Sequence, residues 1–112
     1  MSQVRIDIKG REWTFMLLPD KRFDKLHPRD DGGSNVAMTV FANYEVHFKK
    51  STWDLITIRH EIFHILYAAG LTSSATLSND DVEEISAEIV GHHTPEIILW
   101  SDRIAEKFLG RE

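Results

Sequence analysis

The chain has 112 residues, a formal net charge of −5 and no cysteine. With 42% hydrophobic and 28% charged residues it has the composition of one globular domain over 1–112, with material for a single core. The acidic balance argues against a nucleic-acid partner, the lack of cysteine excludes disulfides and thiolate sites, and no apolar run approaches the roughly 18 residues of a membrane span.

Val4, Ile6 and Ile8 alternate with Arg5, Asp7 and Lys9, which is the period of a half-buried strand. Gly10 supplies a turn and residues 13–18 (WTFMLL) a second strand, so the two read as a hairpin ended by Pro19. Phe23 and Leu26 can anchor one helical turn, whereas His27-Pro28 and Asp31-Gly32-Gly33-Ser34 are loop chemistry. Residues 36–41 (VAMTVF) and 44–48 (YEVHF) read as two further strands about an Ala42-Asn43 turn. His47 alternates with Glu45 and Lys49 and is expected on the exposed side of its strand.

Ser51 and Asp54 suggest a capping box for a helix that runs to about Ala69, with Gly70 at its C′ position. The polar loop TSSATLSND follows. A second helix is expected from Asp80 or Asp81 and should break near Gly91 to His93. Thr94 as N-cap and Pro95 at N1 then open a third helix, which ends at Gly110. A small mixed or antiparallel sheet followed by three helices is an α+β fold.

The first of these helices contains RHEIFH, residues 59–64. His60 and His64, four apart, leave one face of a helix and can meet one ion. Glu61 lies about 100° round the same turn, where its carboxylate can reach water activated by zinc. From the chain's own His and Glu content, HExxH is expected by chance roughly 0.02 to 0.03 times in this length. The ordinary alternative is a pair of surface histidines. Ile56, Ile58, Ile62, Phe63, Ile65, Leu66, Ala68 and Ala69 ring the helix, so burial is expected instead, and two buried imidazoles need partners.

A catalytic zinc takes a third protein ligand. The following segment offers Glu83, Glu84 and Glu88, each of which has a solvated acidic face as its ordinary role. Ala87 and Gly91 lie on the side of Glu84 and thin it for close helix approach, which favours Glu84 over Glu83 and Glu88. Tyr67, His92 and His93 are candidates to stabilise an oxyanion, with core packing the alternative for Tyr67 and helix-end solvation for the histidines.

HEIFH followed after 20 residues by Glu84-Ile85-Ser86-Ala87-Glu88 resembles the glutamate zincins, and most of all the small ImmA/IrrE-type metallopeptidases. That family places HExxH on one helix and a glutamate ligand on the next, in an E-x-x-A context with a further small residue; Glu84, Ala87 and Gly91 match it. Glu88 stands where the family usually has Asn or Asp, and Phe63 where it often has Gly. The resemblance covers roughly residues 36–110. It implies a minimal zincin-like domain with zinc between the two helices, held by His60, His64 and Glu84, with Glu61 as general base. The implied activity is hydrolysis of a peptide bond in a protein substrate such as a transcriptional regulator. The alternatives are a metal-binding regulatory or interaction module of the same fold without proteolysis, and a partner-binding domain without metal. MSQVRIDIKG has no apolar signal core, so a cytoplasmic protein without membrane association is expected.

Overall fold

The computed structural model describes residues 2–28, 36–70 and 78–110; the loop chemistry read at 31–34 and residues 72–77 of the loop read at 72–80 lie outside them. The chain opens with a hairpin of β1 (Gln3–Ile8) and β2 (Arg11–Leu18), paired antiparallel with Ile6 opposite Trp13. Lys9 and Gly10 make its two-residue turn, both at positive φ (55° and 80°), the combination that matches strand twist. Asp7 Oδ1 accepts from Gly10 N at 3.0 Å and closes it.

A seven-residue helix, α1 (Asp20–Leu26), follows, with Phe23 as its buried residue. Then come β3 (Ala37–Val40), a 3-10 turn at Phe41–Asn43 and β4 (Glu45–Lys49). The sheet order is β1-β2-β4-β3, so β4 inserts between two earlier strands, parallel to β2 and antiparallel to β3. Among the described residues β3 is therefore an edge.

Two long helices cover one face of the sheet. The first, α2 (Leu55–Gly70), begins after Asp54, whose Oδ1 accepts from Thr57 N and Thr57 Oγ1, both at 2.7 Å. Asp54 thus caps the helix without Ser51, whose own N–H goes to Asp20 Oδ1 at 3.0 Å. The second, α3 (Asn79–Phe108), starts with a complete capping box between Ser78 and Asp81. Val4, Ile6, Ile8, Phe15, Val46 and Phe48 from the sheet pack with Ile58, Ile62, Ile65, Ile89 and Ile104 from these helices to form the core.

The α+β class and the mixed sheet agree with expectation, but the order of helices does not. The sheet is not simply followed by three helices: α1 lies between β2 and β3, and 79–108 is a single helix. The expected break at 91–93 fails because Ile85, Ile89, Ile97, Trp100 and Ile104 form one stripe against the core across it. Pro95 is accommodated inside, beside Thr94, whose hydroxyl bonds back to Val90 O. No helix among the described residues is long and apolar enough to cross a membrane.

Candidate metal centre

α2 is held from two sides. Arg59 Nε donates to Ser101 Oγ on α3 at 3.0 Å, and Arg59 also lies 3.7 Å from Asp102. On the other side, Thr39 Oγ1 of β3 donates to Glu61 Oε1 at 3.2 Å. Arg59 and Glu61 are two residues apart, so α3 and β3 grip flanks about 200° apart on the helix. His60 falls midway between, and His64 lies about 60° from Glu61, so both imidazoles look outward beside the edge strand.

The exposures agree. The His60 and His64 side chains are 66% and 51% exposed, whereas Glu61 is 5% exposed. This corrects the expectation of a helix buried all round. Ile56 is 78% exposed, because only the sheet and α3 cover α2. The histidines are not buried imidazoles in need of partners; the buried polar group of the motif is the carboxylate.

His60 Nε2 and His64 Nε2 are 2.9 Å apart, and Glu61 Oε2 lies 3.8 Å and 4.0 Å from them. Among the described residues these three are the group of His, Asp and Glu side chains whose donor atoms converge closely enough to hold an ion. Two nitrogens bound tetrahedrally to zinc stand about 3.3 Å apart. The rings need open by only a few tenths of an ångström, so the donor set fits such an ion.

Glu84 is not brought to this group. It is exposed on α3, which lies against the Arg59 flank of α2. The thin face invoked for it is not the packing face either: Ala87 is exposed, and a Cβ at Gly91 would meet nothing within 4 Å. Glu83 is exposed too. Glu88 and His93 line a groove of about 260 Å³ with Leu66, Ala69 and Lys9, and His93 Nδ1 pairs with Glu96 Oε1 at 2.9 Å. His92 is exposed, and Tyr67 is partly buried with its ring stacked 6.1 Å from Phe63.

Comparison with protein-family models, curated proteins and solved structures gave no significant match.

Thr39 is the site residue that the sequence reading passed over. Its signal was there: on the VAMTVF strand, Ala37 and Thr39 share the inward side, and Thr39 is the polar member. His47 is a second correction. It is buried rather than exposed, because α1 covers that face of β4. Its Nδ1 meets His27 Nε2 at 2.9 Å and its Nε2 meets Glu45 Oε1 at 3.0 Å, beside a Lys49–Asp24 ion pair at 3.0 Å. Burial, and then the neighbouring His47, hold His27 below the ordinary histidine pKa.

Proposed function

We propose that this chain is a zinc-dependent peptidase of minimal zincin type. The observation that carries the reading is the convergence of two outward histidines on one helix face with a buried, strand-anchored carboxylate about 4 Å away. His60 and His64 would hold the ion. Bound zinc supplies Lewis acidity toward a carbonyl oxygen and acidifies water at neutral pH.

In this reading Glu61 would be the general base, accepting a proton and passing it to the leaving amine. Thr39 occupies Oε1, which leaves Oε2 toward the histidines as the proton-accepting atom. β3 offers its outer edge beside the histidines, and an extended peptide laid along it would gain backbone hydrogen bonds whatever its sequence. A protein substrate such as a transcriptional regulator belongs to this reading through the family resemblance, which also nominates Glu84 as third ligand.

One observation favours a second reading. Glu61 is the carboxylate that the described residues bring to the histidines. If Glu61 itself ligates the metal, the chain is a metal-binding module without a free base. Glu61→Gln decides between them. As a base, its loss leaves zinc affinity intact and lowers hydrolysis of a cleaved peptide by about 100-fold or more. As a ligand, its loss removes zinc binding, and the peptidase assignment falls.

A further inference from the structure

Beyond the histidine pair α2 continues to Gly70. Ala68 lies four residues after His64, one turn further on the same side of the helix, and there it lines a groove of about 210 Å³. Across the groove stand Trp13 of β2 and Phe41 and Tyr44, which bracket the turn after the edge strand β3. Thr39 on that strand already touches Glu61, so strand and helix lead together from the histidines into the groove.

The groove is built of rings. Trp13 meets Phe41 edge-on at 5.6 Å and Tyr44 edge-on at 5.4 Å. Phe41 and Tyr44 are 46% and 37% exposed, although large apolar groups are normally withdrawn from water. Tyr44 has φ 53° and ψ 47°, a left-handed conformation that is unusual for a bulky side chain. Such strain clusters at binding sites because the surrounding fold must hold it. Here Thr14 N donates to Tyr44 O at 3.0 Å, which fixes the residue to β2. The charge is local and opposite to that of the chain: the Arg11 guanidinium stacks 4.2 Å from the Tyr44 ring centre, and Lys9 lies at the rim.

We propose that this groove is the substrate-selecting subsite, which takes an aromatic side chain of the peptide with an acidic residue next to it. Its volume is below that of whole-ligand pockets and suits one side chain. The part-exposed rings of Phe41 and Tyr44 select an aromatic guest, and Arg11 with Lys9 selects a neighbouring carboxylate. The inference rests on the peptidase reading for its role but not for the existence of the groove.

The test uses three probes with the full chain: Ac-Asp-Phe-hydroxamate, Ac-Asp-Ala-hydroxamate and Ac-Asp-Phe-amide. Affinities are measured with and without zinc, and amide-proton spectra follow Trp13 and Tyr44. The Phe hydroxamate should bind zinc-loaded protein about tenfold more tightly than the Ala hydroxamate. Tyr44→Asn keeps a left-handed backbone, and Phe41→Ser alters an exposed side chain. Each should erase that preference, and Phe41→Ser, which keeps the stack of Arg11 on Tyr44, should leave the Ala hydroxamate unchanged. Equal binding of the two hydroxamates to wild type, or a preference that survives both substitutions, overturns the subsite. If the amide shifts Trp13 and Tyr44 but neither hydroxamate gains from zinc, the metal reading falls and the groove stands as a peptide site.

Discussion

Thr39 Oγ1 donates to Glu61 Oε1 at 3.2 Å, which ties the buried carboxylate of the HExxH helix to the edge strand. Thr39→Val keeps the shape and removes the donor. We expect a loss of about 1–2 kcal/mol in stability, because a charged acceptor is left inside with one partner fewer. Thr39→Ser should recover most of it. An unchanged urea midpoint in Thr39→Val would remove the anchoring role.

Zinc should bind at about one ion per chain, and His60→Ala or His64→Ala should abolish stoichiometric binding. An ion bound to the folded chain alone would stabilise it, so chelation should lower the melting temperature. Calorimetric titration with zinc gives the stoichiometry; full occupancy in the double alanine variant would sink the site.

The acidic positions of α3 can be ranked by zinc affinity. If α3 supplies the third ligand as the family resemblance implies, Glu84→Ala weakens binding strongly, while Glu83→Ala and Glu88→Ala do not. If the arrangement around α2 is the working one, all three leave affinity unchanged. Ala87→Leu separates the two in another way. Ala87 is exposed, so the change should shift stability by no more than about 0.5 kcal/mol, against about 1–3 kcal/mol for overpacking between helices.

Stability should fall on mild acidification. His27 is held below the ordinary histidine pKa by burial and then by His47, so folding favours its neutral form. That contribution is complete above the unfolded pKa of about 6.5 and is lost as pH falls through the lower folded value. His47, Glu45 and Lys49 of β4 and Asp24 of α1 form the surrounding polar cluster. The urea midpoint of wild type should drop between pH 7.5 and 5.5 by more than that of His27→Gln. Parallel curves would refute the assignment.

Pro95 has no N–H for the carbonyl of Gly91, and its ring crowds that turn. Pro95→Ala should stabilise the protein by about 1–3 kcal/mol, as seen in thermal unfolding. A destabilised variant would mean that a bend at this point is needed for the packing of the second half of α3.

Strand periodicity was legible wherever one face is buried. Val4, Ile6 and Ile8, the turn at Gly10 and the pair of strands about residues 42–43 stand as read. What escaped the reading depends on partners distant in sequence. His47 reads as exposed until α1 is laid over β4. Thr94-Pro95 carries every local mark of a helix start, and only the continuous stripe from Ile85 to Ile104 overrides it. The motif of His60, Glu61 and His64 was plain, but which member is buried was not. That depends on Thr39 of β3 and Ser101 of α3 binding opposite flanks of α2.

The place of β4 has a consequence for how the chain acquires this shape. β4 is the last strand in sequence, yet both β2 and β3 bond to it and not to each other. A nascent chain that has exposed only its first 44 residues can form the β1–β2 hairpin but has nothing to join β3 to it. The sheet closes in a single late step that spans some thirty residues, and pairing over such separations is slow. Folding in free solution should therefore be limited by this insertion and not by either long helix.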